Sequence, residues 1–488
     1  MHVNNWSAQT GTVRCMNAPT RLSDESSCPS ALVIDPVLIQ KYDRPGPRYT
    51  SYPTADRFVE AFDAAASRDW LSKRNVGGIT VPLSLYVHLP FCNTICYYCA
   101  CNKVVTRDRT RSAKYINSLC QEIALRAQLL EPQERSICQM HWGGGTPSFL
   151  SHDEMRQLMR AIDQAFVRAP GAECAIELDP RQLEPGTIPL LAALGFNRVS
   201  IGVQDFDPRV QQAVNRIQSE AQTRQVIEEA RASGFVSVNL DLIYGLPLQR
   251  LDSFDTTLEQ VIALAPDRIA LYSYAHLPTL FKPQRRIHAE DLPSAETKLQ
   301  ILTLAIGRLT RAGYLYIGMD HFAKPDDSLA IAQRQGRLHR NFQGYSNQPE
   351  CDLLAFGVSA IGRVGPTYYQ NEKTLDAYYD ALAGGQLPVM RGIELSQDDL
   401  LRRAVIQALS CHFRVSVESI EDAYLICFER YFADELNELA LFASEGLVEI
   451  TPEWIVVTPK GRMLVRAICM VFDRYLRHRQ RAAYSKLI

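Results

Sequence analysis

From residue 83 onward the chain repeats one pattern. A short apolar run rich in β-branched or aromatic residues is followed by a longer stretch with helical periodicity. The runs are LSLYVHL (83–89), ICQMHW (137–142), CAIELD (174–179), RVSIGVQ (198–204), VNLDLIYG (238–245) and RIALYSYA (268–275). Between them lie SAKYINSLCQEIALRAQLL, DEMRQLMRAIDQAF, TRQVIEEARASG and FDTTLEQVIALA. Strands alternating with helices predict a parallel sheet with crossover helices. The six units fit either a partial (βα) barrel or a doubly wound sheet. No GxGxxG opens the first helix, so a dinucleotide site is unsupported.

The sharpest local signal follows the first strand. Cys92, Cys96 and Cys99 form CxxxCxxC, with Cys101 two residues on. The other nine of the 13 cysteines are scattered and read as small core residues, while Cys15 and Cys28 have no assigned role. The opening residues, MHVNNWSAQTGTVRC, carry no apolar run like a signal peptide's, and no 18 consecutive apolar residues occur. A cytoplasmic protein is expected, with reduced thiols, so a cysteine group means a metal site or catalysis before disulfides. Three thiolates on one loop can hold three irons of a cubane and leave the fourth iron open. A closed tetrahedral zinc site that recruits Cys101 is the alternative. The step from Cys99 to Cys101 is a tight reach for it.

The ends of the later strands carry further chemistry. Gly143-Gly144-Gly145-Thr146-Pro147 follows the second, Glu177 ends the third, Gln204 the fourth, Asp241 the fifth, and Ala275 and His276 the sixth. Barrels of this type build their active sites at the C-terminal strand ends. Small residues let backbone approach a ligand's ammonium, and ionised carboxylates accept from hydroxyl or ammonium groups. The plain alternatives are a tight turn and surface carboxylates.

Residues 1–35, rich in Ser, Asn and Thr, read as a mobile tail, and KYDRPGPRYTSYPTA (41–55) as an ordered, irregular arm. YLYIGMDHFAKPDD and HRNFQGYS, after Tyr314, read as loops and short strands, with His321 and His339 in loops. From about Ser396 the pattern is mostly helical, with a hairpin near Pro452 and Glu453 that resembles a winged helix. The net charge of -2 and the lack of basic clustering before Arg474–Arg481 argue against nucleic-acid binding.

CxxxCxxC after the first strand of a partial barrel resembles the radical S-adenosylmethionine (SAM) superfamily. HLPFCNTICYYCACNK, PGPRYTSYPTA, HWGGGTP, IELDPR, GVQDF, VNR, DLIYGLP, YAHLP, GMDHFA and HRNFQGY together resemble the oxygen-independent coproporphyrinogen III oxidase family, from about Asp35 to the C-terminus. The resemblance implies a partial (β/α)6 TIM-like barrel with an N-terminal arm and a mostly helical, winged-helix-like C-terminal domain. The boundaries expected are 1–35 for the extension, 36–78 for the arm, 79–313 for the barrel, 314–390 for a connecting region and 391–488 for the C-terminal domain.

It also implies a [4Fe–4S] cluster on Cys92, Cys96 and Cys99, its fourth iron bound by SAM, and two SAM molecules in one site. The family's residues for the first SAM fall on Tyr86, Tyr98, Gly144 and Glu177. Those for the second fall on Gly145, Thr146, Gln204, Arg216, Asp241, Ala275 and Ile361. Arg216 offers a fork for a methionine carboxylate, or is a helix-surface arginine. Cys101 is a candidate catalytic thiol or a neutral packing residue.

The implied reaction turns two propionates of coproporphyrinogen III into vinyl groups, giving protoporphyrinogen IX in haem biosynthesis. A low-potential donor such as a flavodoxin or ferredoxin would supply electrons to a monomeric enzyme with no nucleic-acid or membrane partner. Arg44, Arg48 and Arg57 are candidate holders for the anionic substrate. A haem chaperone, a radical SAM methyltransferase and a zinc-stabilised binding module are the rival readings. The CxC extension and the arm argue against the first.

Overall fold

In the computed structural model, residues 32–74, 81–348 and 351–477 are described. The expected tail at 1–35 lies almost wholly outside them, as do Cys15 and Cys28. Leu32–Ile488 forms one unit by its internal contacts.

The six apolar runs are strands β1 (Leu83–Leu89), β2 (Ser136–Gly144), β3 (Val167–Leu178), β4 (Arg198–Gln204), β5 (Ser237–Tyr244) and β6 (Arg268–Ser273). They pair in parallel in that order. The helices between them are amphipathic. His152–Ala165, for example, buries Met155, Leu158, Met159 and Ile162 at helical spacing and is capped by Ser151 and Glu154 acting reciprocally. Each such fully buried side chain contributes about 1.5–3 kcal/mol relative to exposure.

The region expected to connect the barrel to the C-terminal domain instead extends the sheet on both sides. Strands β7 (Leu315–Gly318) and β8 (His321–Ala323) add antiparallel beside β6. A small hairpin, β9 (His339–Asn341) with β10 (Gly344–Ser346), stands apart from the sheet. Then β11 (Asp352–Phe356) adds parallel to β1, followed outward by β12 (Ile361–Val364), β13 (Thr367–Asn371) and β14 (Val389–Glu394). Among the described residues the sheet has twelve strands, in the order β14-β13-β12-β11-β1-β2-β3-β4-β5-β6-β8-β7. His321 and His339 therefore sit on short strands, not in loops, because His321 pairs across to the strand at Arg268–Ser273 and His339 pairs within its own hairpin.

Strict alternation decides which side chains face the site. Along β4 Val199, Ile201 and Val203 are buried, so Ser200, Gly202 and Gln204 point to the other face. In β5 Val238, Leu240, Leu242 and Tyr244 are buried, which turns Asn239 and Asp241 the same way. Asp241 does not end its strand as expected. The strand continues to Tyr244, because the apolar alternation runs on through that residue.

The C-terminal region carries helices Gln397–His412, Val417–Tyr424 and Ala433–Ser444 around a three-stranded sheet of Arg414–Ser416, Val448–Ile450 and Trp454–Val457. The last two of these strands flank Pro452 and Glu453, where the hairpin was expected. This region pins the arm. Tyr49 donates to Asp473 at 3.0 Å, Arg466 donates to the Gly46 carbonyl at 2.8 Å, and Tyr42 stacks on Phe442 at 4.6 Å. No described helix is long and apolar enough to cross a membrane.

Candidate active site

The cysteine loop leaves β1 and is held open by backbone. The Gly145 amide donates to the Leu89 carbonyl at 2.8 Å and that of Thr146 to Phe91 at 2.9 Å. A Cβ on Gly145 would lie 2.6 Å from the Pro90 carbonyl, so the glycine is required by close approach. Gly144 has φ +112°, and a Cβ there would strike the His88 ring at 2.5 Å. On the far side, Tyr97 donates to the Val214 carbonyl at 2.9 Å and the Asn215 side chain to Ile95 at 2.7 Å.

Cys92, Cys96, Cys99 and Cys101 line one cavity of about 280 Å³ together with Tyr98, Gly144, Gly145, Thr146, Glu177, Gln204, Arg216 and Asp241. The sulfurs receive donors. Thr146 Oγ1 lies 3.4 Å from Cys92 Sγ, and Arg181 and Arg216 reach Cys96 Sγ at 3.6 and 3.7 Å. A hydrogen bond from Cys101 lowers the Cys99 pKa to about 6, with the Lys103 charge assisting, and Cys101 is pushed up in turn. Burial raises Cys92 to about 11.

Among the described residues no three His, Cys, Asp or Glu side chains converge as a single-ion site demands. Three thiols spread round a cavity, each sulfur near a donor, fit a polynuclear cluster that takes one thiolate per iron.

The two carboxylates differ. Glu177 accepts from His141 Nε2 at 3.0 Å and from the Gly144 amide at 3.1 Å. Burial works to raise its pKa, but these bonds and the His141 charge outweigh that and hold it below the ordinary value. Asp241 accepts from Ser200 at 3.0 Å and Asn239 at 2.9 Å, yet burial and then the Glu177 charge raise it to about 6.

Arg216 is buried, not on a helix surface. It pairs with Asp179 at 3.3 Å and donates to the Gly202 carbonyl, while its Nε finds no acceptor. Gln204, at φ +70°, leaves its Oε1 without a donor. Tyr86 sits below the cavity. It donates to His88 Nδ1 at 3.1 Å, and His88 Nε2 donates to the Asn102 carbonyl at 3.0 Å. Ala275 joins through Gln284, whose amide donates to both the Ala275 and Tyr98 carbonyls, at 3.2 and 3.0 Å. Ile361 stands apart, packed with Phe58 and Tyr368. Sequence reasoning passed over His88, His141, Asp179, Arg181 and Gln284. His141, Asp179 and Arg181 lie inside HWGGGTP and IELDPR, but nothing in a single chain singles them out.

Of the candidate arginines in the arm, Arg48 alone reaches the barrel, donating to the Ser273 carbonyl at 3.3 Å and pairing with Asp320 at 3.5 Å. Arg44 faces Glu438, and Arg57 faces Asp56 and Tyr475.

The profile of the Radical SAM superfamily matches residues 86–261, and that of the HemN C-terminal domain matches residues 395–464. The chain is 50% identical over 460 residues to the oxygen-independent coproporphyrinogen III oxidase of Pseudomonas aeruginosa, covering 93% of this chain and 98% of that one. This chain belongs to the oxygen-independent coproporphyrinogen III oxidase family. It is an enzyme, a radical SAM oxidoreductase. The family's Escherichia coli protein is 49% identical over 455 residues, with the same coverage of 93% and 98%. The solved structure titled coproporphyrinogen III oxidase (HemN) from Escherichia coli, described there as a radical SAM enzyme, superposes with a TM-score of 0.86 at 47% identity. The match covers 91% of this chain and 99% of that one.

Proposed function

We propose that this chain converts coproporphyrinogen III to protoporphyrinogen IX without oxygen, by oxidative decarboxylation of two propionates to vinyl groups. Cys92, Cys96 and Cys99 hold a [4Fe–4S] cluster in this reading, and two SAM molecules share the cavity. The carrying observation is that three loop cysteines, the glycine turn, Glu177, Gln204, Arg216 and Asp241 line one space in a chain aligned along 98% of such an oxidase. When bound, the cluster and SAM supply an electron and a 5′-deoxyadenosyl radical that takes a hydrogen from a substrate propionate.

The chain's own residues position and shield. Donors from Thr146, Arg181 and Arg216 stabilise negative charge on the cysteine sulfurs. Arg216, braced by Asp179 and Gly202, presents its free Nε to a methionine carboxylate. Tyr86, Tyr98, Gly144 and Glu177 serve the first SAM. Gly145, Thr146, Gln204, Arg216, Asp241 and Ala275 serve the second, Ala275 through its tie to Tyr98, and the family resemblance alone adds Ile361 to that set. Glu177, kept ionised, accepts from an ammonium or ribose hydroxyls. Cys101, exposed beside Cys99, is placed to meet substrate. The enzyme works as a cytoplasmic monomer fed by a flavodoxin- or ferredoxin-like donor.

The test is an anaerobic assay of reconstituted protein with dithionite, SAM and coproporphyrinogen III. About two 5′-deoxyadenosines per protoporphyrinogen are expected. 5′-Deoxyadenosine without vinyl product would overturn the substrate assignment, and protein that takes up zinc without iron or sulfide would overturn the cluster.

A further inference from the structure

The concave face of the sheet encloses a second cavity, of about 130 Å³, which shares Glu177, Ser200, Asp241 and Tyr272 with the cysteine cavity. The hairpin of β9 and β10 closes one side of it through Asn341, Gln343, Tyr345 and Ser346. The hairpin is fixed from behind. Tyr345 donates to the Ser410 carbonyl at 2.9 Å, Ser346 donates to Gln139 at 3.4 Å, and Gln407 bonds His339 at 3.2 Å.

Several polar atoms of this hairpin and its surroundings are buried and unsatisfied, Arg340 lining an adjoining cavity that shares Gln139, Asn341 and Ser346 with this one. Arg340 lies opposite Tyr345 in the hairpin register and stacks over its ring at 4.8 Å, yet its Nε and Nη1 have no acceptor. Gln343 Nε2 likewise lacks an acceptor, and His321 Nδ1 has no hydrogen-bond partner. His321 sits between Tyr272 and Tyr345, with ring distances of 6.0 and 5.3 Å. Arg48 enters from the arm, its guanidinium 5.9 Å from the Tyr272 ring. Among the described residues no carboxylate pairs with Arg340, and Asp320 is taken by Arg48. Guanidinium nitrogens buried without a counter-ion are costly, and buried polar atoms are nearly always satisfied. Such a set is stable in a working protein when a ligand completes it.

We infer that Arg340, with His321, Gln343 and Arg48, forms a seat for a carboxylate of the substrate. It takes one propionate-type group of the tetrapyrrole while another faces the cysteine cavity across Tyr272 and Asp241. The inference rests on the anionic substrate proposed above and names the side chains that recognise it. A planar guanidinium suits a carboxylate through paired N–H donors. His321 adds an uncharged ring nitrogen, since burial and then the Arg340 charge drop its pKa to about 3. Gln343 adds a neutral N–H. These are positioning residues and take no part in SAM cleavage.

The test measures binding of coproporphyrin III, the stable oxidised form with four carboxylates, to the full chain by fluorescence quenching. Its tetramethyl ester is run in the same detergent. Arg340→Gln and Arg48→Gln are each expected to weaken the tetra-acid about ten- to a hundredfold, with Arg340→Lys falling between these and the parent. The ester should bind all four proteins alike. 5′-Deoxyadenosine formation without porphyrinogen should stay within about twofold, because no SAM contact is altered. Unchanged tetra-acid affinity in Arg340→Gln overturns the seat. If that variant does not fold, unchanged affinity in Arg48→Gln overturns it instead. A parent protein that binds coproporphyrin III through Arg340 but makes no protoporphyrinogen overturns the reaction and leaves the seat standing.

Discussion

The two ends of the barrel interior handle charge in opposite ways. Toward the N-terminal side of the sheet, Arg198, Arg268, Glu173 and Asp327 form a charge-balanced set of two cations and two anions, although Arg198 Nη1 and Glu173 Oε2 make no hydrogen bond. Arg198 meets Glu173 at 2.9 Å, Arg268 meets Asp327 at 2.9 Å, and the cross pairs stand at 3.9 Å. At the C-terminal ends the same strands carry an unfinished set. Arg216 Nε and Gln204 Oε1 lack partners, and burial raises the Asp241 pKa to about 6. A set that balances its own charges does structural work. A set left incomplete in a rigid frame is a binding site, because its missing partners must come from a ligand.

Breaking the balanced end gives the largest effect. Arg268→Met removes one cation from the quartet and leaves Asp327 with Arg198 at 3.9 Å as its counter-ion and with hydrogen bonds from the Leu329 amide at 2.7 Å and Ser237 at 3.3 Å. Loss of one partner of a buried ion pair costs about 3–5 kcal/mol. Denaturant unfolding should show that loss, while the fraction that stays folded keeps its KM for SAM. A KM change with no loss of stability would place this quartet in the site and end the contrast.

Much of this contrast was legible in the sequence, and the remainder was hidden for a physical reason. The six strands show in local composition, since β-branched apolar runs carry their own periodicity. The cysteine loop, the glycine turn and Glu177 follow from their place just after those runs. Asp241 was put at a strand end because DLIYGLP reads as a turn approach, but Tyr244 is buried and prolongs the strand. Arg216 could be read as a helix-surface residue because its partners, Asp179 and the Gly202 carbonyl, lie far off in sequence. The strands from Asp352 to Glu394 read as a connection because they are short and because the one that joins them to the barrel, Asp352–Phe356, pairs with the distant Leu83–Leu89. Arg340 shows no signal at all in HRNFQGY, where only the folded hairpin reveals that its guanidinium is buried.

At the unfinished end, Asp241 gives a pH signature of intermediate size. Its folded pKa is about 6, against an ordinary 3.8. An acid whose pKa rises on folding adds relative stability below the unfolded value and loses it as pH climbs through the folded one. The apo chain should therefore lose up to about 3 kcal/mol from this group between pH 4 and 7, on a scale of 1.36 kcal/mol per unit. Asp241→Asn should flatten that slope. An unchanged slope in urea unfolding at pH 5 and 7.5 would show that the group is already ionised, and that its end of the barrel is as settled as the other.

The smallest effect probes the fork of Arg216. Arg216→Lys keeps a positive charge near Asp179 but loses the planar donor set, so it cannot brace on the Gly202 carbonyl and offer a further N–H at once. Loss of one charge-assisted bond costs about 1.5–3 kcal/mol, which corresponds to a KM for SAM raised roughly ten- to a hundredfold. Stability should move little, because the lysine still pairs with Asp179 and the strand packing behind Gly202 is untouched. The opposite pattern, an intact KM with a large fall in stability, would mean that Arg216 belongs with Arg198 and Arg268 as part of the frame. A rise in KM with stability retained separates the two ends by charge: the quartet balances two cations with two anions, while Arg216 shares Asp179 with Arg181 and waits for a further partner.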